Sequence, residues 1–192
     1  HRLTLWMSAS TMPGLIRPDS TTDPALVAAY RNGDERAAAE LVARHTAALG
    51  RFLYSLGADR EDLEDLVQET LFRAFRGVES WRGGASFRSW LLTIGSNILR
   101  DQIRKRKGQL VSIEGRDIPD RADPAADFAA GEAEDRVRQG LAALPRLQRE
   151  VFLLRAQEGS DYGDIAAALG TTPGAARVHY HHAVKRLKEL VR

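Results

Sequence analysis

The sequence predicts an all-α protein: two small helical domains joined by a flexible acidic linker, the second domain carrying a helix-turn-helix. Three observations predict it. Apolar residues recur at three- and four-residue spacing, and no segment shows sustained alternation. Helix-start and helix-stop residues punctuate that pattern at regular intervals. Between residues 109 and 131 the periodicity lapses into Gly115, Pro119, Pro124 and a run of Asp and Ala.

Taken in order, residues 1–22 are rich in Ser, Thr and Pro without a long apolar centre, so they are expected to be disordered rather than a signal peptide, with Met7 a candidate start. Asp23-Pro24 reads as a cap and first-turn proline for a short helix to about Tyr30, broken by Asn32-Gly33. A second helix is expected from Asp34 to Leu56, with Leu41, Val42, Leu49, Phe52 and Leu53 inward, and Gly57 stops it. A third is expected from Asp59 to Arg76, built on Leu63, Leu66, Val67, Leu71 and Phe75. After a loop at 77–85, Ser86 caps a fourth, which should end at Lys107-Gly108; its apolar stripe is Phe87, Trp90, Leu91, Ile94 and Ile98.

The second domain repeats the logic. One helix runs from Glu132 to Leu144, and Pro145 opens another that stops at Gly159. Asp161 caps a short helix with Ile165, Ala166 and Leu169, Gly170 turns the chain, and Thr172-Pro173 opens the last helix. On that helix Ala176, Tyr180, Ala183, Val184, Leu187 and Leu190 are expected inward.

Composition narrows the function classes. No apolar run approaches the ~18 residues that span a bilayer. Cysteine is absent, which excludes disulfides, thiolate chemistry and cysteine-based zinc sites. Net charge is only +2, yet charge is segregated. Residues 100–107 hold five basic side chains and one acid, residues 109–135 hold eight acids against two arginines, and the C-terminal end is basic again. Two basic patches flanking an acidic stretch suggest two contacts with a polyanion, against the plainer reading of solvated helix faces.

Three constellations carry chemistry. The segment 161–188 is a helix-turn-helix whose last helix offers Arg177, Val178, His181, His182, Lys185 and Arg186, side chains that suit guanine edges and phosphates in a major groove. His179 and His182 lie one helical turn apart, but no third ligand accompanies them, so no metal is expected. The helix from Phe87 and its preceding loop place Trp81, Ser86, Asn97 and Arg100 beside the basic run Arg104, Lys105, Arg106 and Lys107, a combination fit to stack unpaired bases and hold duplex phosphates. Phe87 and Trp90 taken alone read better as core; Trp81, in a Gly-rich loop, is harder to assign there. Finally, Asp65, Gln68, Glu69 and Phe72 share one helix face with Asp62, an acidic and partly apolar strip suited to a basic partner helix.

Together these residues resemble the extracytoplasmic-function branch of the primary sigma factor family of bacterial RNA polymerase. Asp65-Leu-Val-Gln-Glu-Thr-Leu-Phe-Arg-Ala-Phe75 is similar to the family's second region, and Phe87-Arg-Ser-Trp-Leu-Leu-Thr-Ile-Gly-Ser-Asn97 to its promoter-melting helix. Leu141-Ala-Ala-Leu-Pro-Arg-Leu-Gln-Arg-Glu-Val-Phe-Leu-Leu154 and Asp164-Ile-Ala-Ala-Ala-Leu-Gly170 are similar to the fourth. The resemblance implies a region 2-like domain over 23–108, an acidic linker over 109–131 and a region 4-like domain over 132–192. It implies that Asp65, Gln68, Glu69 and Phe72 dock on the clamp of the polymerase's largest subunit, with the flap as a further contact. Trp81 to Ser86, Asn97 and Arg100 would capture a flipped base of the melted minus-ten element, and Arg104 to Lys107 would touch duplex just upstream. Arg177, Val178, His181 and His182 would face the minus-thirty-five element.

A cytoplasmic, non-enzymatic protein without cofactors follows from the same resemblance, with an anti-sigma factor as a further partner and no membrane. The sequence departs from the family pattern where Ala175-Ala176 follow Gly174 and where histidines stand at positions commonly Arg; those positions set promoter readout. The rivals are a stand-alone helical DNA-binding regulator, which has no need of the melting-helix pattern, and an enzyme, for which no nucleophile–base pair, phosphate-cradling loop or ligand cluster is found.

Overall fold

The computed structural model describes residues 21–114 and 131–190, which form eight α-helices and no strand among the described residues. They are α1 (Asp23–Arg31), α2 (Glu35–Ser55), α3 (Leu63–Arg76), α4 (Phe87–Glu114), α5 (Gly131–Ala142), α6 (Arg146–Ala156), α7 (Tyr162–Leu169) and α8 (Pro173–Leu190). Single 3-10 turns at Arg60–Asp62 and Val78–Ser80 lead into and out of α3. Residues 1–20 and the heart of the expected linker, 115–130, lie outside the described residues. By backbone contacts the chain divides into a unit His1–His45 and a unit Thr46–Arg192.

In the first unit the α1 cap differs from the expected one. Thr22 takes the role, its Oγ1 accepting the Ala25 N–H, and Asp23 is the first helical residue. The Asp23 carboxylate is thereby freed for Arg44, at 2.8 Å, and for His45 Nε2, at 2.7 Å. Burial pushes that carboxyl up, but the hydrogen bonds and charges of His45 and then Arg44 outweigh it and hold it below the usual aspartate range.

In the second unit, α4 is the central element. Phe87, Leu91, Leu92, Ile98 and Leu99 are all buried, so its apolar surface is wider than the single stripe the sequence suggests. The reason is that α4 packs against both α3 and α7 and has covered faces on two sides. At Gly95 a Cβ would lie 3.1 Å from Leu49 Cδ1 and Leu53 Cδ2 and 3.3 Å from Thr70 Cγ2, so α2 and α3 approach the α4 backbone closely there. The end of α4 also differs from expectation. Gly108 does not stop it; the helix continues to Glu114. An interior glycine costs about 1 kcal/mol relative to alanine, too little by itself to terminate a long helix.

The C-terminal helices follow their punctuation. Asp161 Oδ1 accepts the Asp164 N–H at 2.8 Å and starts α7. Gly170 ends it with φ 67° and ψ 38°, the left-handed turn for which a residue without Cβ is suited. Thr172 Oγ1 accepts the Ala175 N–H at 3.2 Å and starts α8. Ala166, Ala176 and Ala183 are buried, their small side chains letting α6, α7 and α8 close together. Leu190, expected inward, is 55% exposed at the last described residue of α8.

Candidate nucleic-acid and polymerase interface

The acidic strip of α3 is backed by a buried face of Leu66, Val67, Thr70, Ala74 and Phe75. That backing fixes the helix rotation and leaves Asp65, Gln68 and Phe72 exposed and Glu69 half-exposed. Phe72 is 39% exposed, and the Arg76 guanidinium lies 5.5 Å from its ring centroid. Glu69 holds Arg73 at 2.6 Å. A phenyl ring among carboxylates and an amide is a surface for a basic, partly apolar helix.

Beyond the strip, a shallow pocket lined by Asp62, Asp65, Gln102, Lys105 and Arg106 joins α3 to the basic run of α4. Here one expected DNA contact is engaged within the protein. Arg106 bonds Asp62 at 2.5 Å and Asp59 at 3.1 Å, and those carboxylates, Asp62 foremost, raise its pKa further above the ordinary range. Arg104, which pairs with Asp101 at 3.3 Å, and Lys105 and Lys107 are exposed.

The loop before α4 is built around an inward tryptophan. The sequence does not assign Trp81 to the core; the structure does. Its indole is 7% exposed, donates from Nε1 to the Ala85 carbonyl at 2.9 Å, and meets the Phe87 ring edge-on at 5.8 Å. Gly83, at φ 76°, makes the return that brings loop and indole together. Trp81 therefore shapes the loop from inside and presents no open ring face. Ser86 caps α4, accepting the Ser89 N–H at 3.1 Å. About three turns further on, Asn97 and Arg100 are both exposed, with Arg100 Nη2 donating to Asn97 Oδ1 at 2.9 Å.

On α8, Arg177, Val178, His181, His182, Lys185 and Arg186 are all exposed, and Val178 is 51% exposed. The helix is anchored from behind: Tyr180 stacks on Phe152 at 5.9 Å, and Arg177 lies over the Tyr162 ring at 5.2 Å. His179 differs from its neighbours in having a buried Nδ1. No cluster of metal-ligating residues occurs among the described residues. No described helix is long and apolar enough to cross a membrane.

Sequence reasoning missed a set of polar contacts joining α2 and α4 to the C-terminal helices. The Asp164 carboxylate takes the Ser86 N–H at 2.6 Å, the Ser86 hydroxyl at 2.9 Å and the Ser89 hydroxyl at 2.6 Å. Arg88 Nη2 lies 2.5 Å from Glu158 Oε2, and Ser96 Oγ donates to Glu150 at 2.5 Å. Arg138 lies 4.0 Å from the Tyr54 ring centroid. No local pattern announces these pairs; the one signal is that Ser89 and Ser96 stand next to or among the apolar positions of the helix, at Trp90 and between Ile94 and Ile98.

Comparison with known proteins gives a consistent result. Residues 41–109 match the family described as Sigma-70 region 2, and residues 134–187 match Sigma-70, region 4. The chain is 31% identical over 180 residues to the RNA polymerase sigma factor NccH of Alcaligenes xylosoxydans xylosoxydans, covering 90% of this chain and 96% of that protein. It is 32% identical over 144 residues to the ECF RNA polymerase sigma factor EcfG of Rhodopseudomonas palustris, covering 75% and 79%. Among solved structures, CnrH in complex with the cytosolic domain of CnrY matches at TM-score 0.69 and 30% identity, over 88% of this chain and 96% of that one. The sigma factor RpoE of Bartonella quintana, in complex with the anti-sigma factor NepR, matches at TM-score 0.65 and 31% identity, over 79% and 94%.

Proposed function

The chain belongs to the extracytoplasmic-function sigma factors of the sigma-70 family, which corrects the expected placement among the primary sigma factors, and on that premise we propose how its residues divide the work of transcription initiation. Residues 23–108 act as the region 2 domain and 132–192 as the region 4 domain. Asp65, Gln68, Glu69 and Phe72 dock on the clamp of core RNA polymerase, and the C-terminal domain meets the flap. Ser86, Asn97 and Arg100 hold the melted minus-ten strand, in a loop whose shape Trp81 sets. Arg104, Lys105 and Lys107 take duplex phosphates, with Arg106 joining them once it leaves its aspartates. Arg177, Val178, His181, His182, Lys185 and Arg186 read the minus-thirty-five element.

The mechanism is binding rather than catalysis, carried out in the cytoplasm where the polymerase works. Two domains gripping two elements raise each other's effective concentration. Preference of the first domain for single strands shifts the promoter toward its open form without fuel. A solved relative captured with an anti-sigma factor supports such a protein as a further partner here.

The observation that carries the reading is the exposed Phe72 at the C-terminal end of the α3 strip, an aromatic side chain beside residues that are otherwise polar. The test is retention of core RNA polymerase by the tagged chain, with the double variant Gln68→Ala, Phe72→Ala beside it. Wild type should retain core and the variant should not. If neither retains core at low salt with both folded, the stand-alone regulator is the better reading.

A further inference from the structure

Resting on the function proposed above, we infer that Tyr162 is a positioning residue for promoter readout: its ring holds the Arg177 guanidinium in place on α8 and so sharpens the choice of one base pair in the minus-thirty-five element. Tyr162 opens α7, the first helix of the helix-turn-helix, and Arg177 stands near the start of α8, the second. The guanidinium lies 5.2 Å from the ring centroid, close enough for the negative ring face to attract it. The ring itself is held by two other helices. Tyr180 of α8 meets it edge-on at 6.2 Å and stacks in turn on Phe152 of α6 at 5.9 Å, with planes 14° apart. From α6, the Arg155 guanidinium lies over the Tyr162 ring at 4.9 Å and donates from Nη1 to the Ser160 carbonyl at 2.9 Å. Three helices thus meet in an aromatic cluster, and Arg177 is its exposed arm.

Placement matters to an arginine that reads a base. Its fork must meet two acceptors on one guanine edge, and its long stem loses rotamer freedom on doing so. A guanidinium already held against a ring loses less freedom when DNA arrives. The ring also leaves the charge in service. Among the described residues neither Arg177 nor Arg155 has an ion pair, so no carboxylate competes with a base for the Arg177 donors. Lys185 and Arg186, the other exposed cations expected to face this element, have no ring beneath them among the described residues. They suit phosphates, which tolerate a loosely placed charge, whereas Arg177 is built for readout. The Tyr162 hydroxyl makes no hydrogen bond among the described residues, so its contribution lies in the ring, which phenylalanine can supply.

The test reads base preference rather than affinity, because a helix that is merely loosened binds every sequence less well. Holoenzyme assembled from core RNA polymerase and the full chain selects its preferred upstream duplex from a randomised library. Single-base variants of that duplex then compete against it. Arg177→Ala should lower the preference at one position by about tenfold, the worth of a bidentate base contact. Tyr162→Leu should lower it at that same position by about threefold, as for an exposed cation–π contact, while Tyr162→Phe keeps it. Adding Tyr162→Leu to Arg177→Ala should change the preference no further, since the two act as one unit. Tyr162→Met replaces Tyr162→Leu should that variant fail to fold. Three results overturn the inference: an equal loss at every position, a loss in Tyr162→Phe matching that in Tyr162→Leu, or no position relaxed by Arg177→Ala. Failure of wild type to retain core polymerase, scored before DNA is added, overturns the proposed function instead.

Discussion

Ser96 Oγ donates a 2.5 Å hydrogen bond to Glu150 Oε1 with both side chains buried, tying the middle of α4 to α6. Glu150 has a second partner in Arg146, one turn before it on α6, at 3.3 Å. A carboxylate this enclosed is expensive to leave half-paired. Ser96→Ala should lower stability by about 1–3 kcal/mol, read as a lower urea midpoint. An unchanged midpoint would mean that the pair contributes nothing to the folded state.

Gly95→Ala should also destabilise, although alanine is the better helix former. The added Cβ would sit 3.1 Å from two leucine methyls and 3.3 Å from a threonine methyl, so Leu49, Leu53 and Thr70, all fully buried, would each have to shift by a few tenths of an ångström. Overpacking of this kind costs about 1–3 kcal/mol, which outweighs the helix-propensity gain of about 1 kcal/mol. Thermal unfolding checks it; a raised midpoint would show that the three neighbours can give.

Asn97→Ala should impair promoter opening more than initial binding. Asn97 is exposed and bonded to Arg100, so its loss would remove the proposed contact to an unpaired base without disturbing the core. Permanganate reactivity of unpaired thymines should fall several-fold, while gel-shift affinity of the closed complex stays within about twofold, as for surface substitutions outside a contact. Equal loss in both assays would place Asn97 in duplex binding instead.

Asp23→Asn should destabilise at neutral pH and cease to matter in acid. The folded carboxyl lies below its ordinary value, so its stabilising contribution is fully present above the unfolded pKa of about 3.9 and is lost as pH falls through the folded value. The gap in unfolding midpoint between wild type and variant should therefore close below about pH 4. A gap that persists into strong acid would assign the effect to packing rather than to charge.

The sequence alone determined the all-α class, the order of the helices and the helix-turn-helix, because caps, turn glycines and apolar spacing are local signals. Asp161, Gly170 and Thr172 act in the structure as their identities suggest. It also determined which faces of α3 and, apart from Leu190 at its end, of α8 are exposed, since a 3.6-residue period assigns faces without knowing what covers them. The neighbouring caps show the limit of such signals: Thr22 and Asp23 are both capable, and the choice fell to Thr22 because Asp23 had partners a helix away.

What only the tertiary structure decided is which polar side chains are engaged within the protein. Trp81 lies inside the loop, Arg106 is held by Asp59 and Asp62, and Ser86 and Ser89 are taken by Asp164. Each of these pairings depends on how distant helices pack. A hydrogen bond forms within a few tenths of an ångström or not at all, and no spacing within one helix encodes the approach of another.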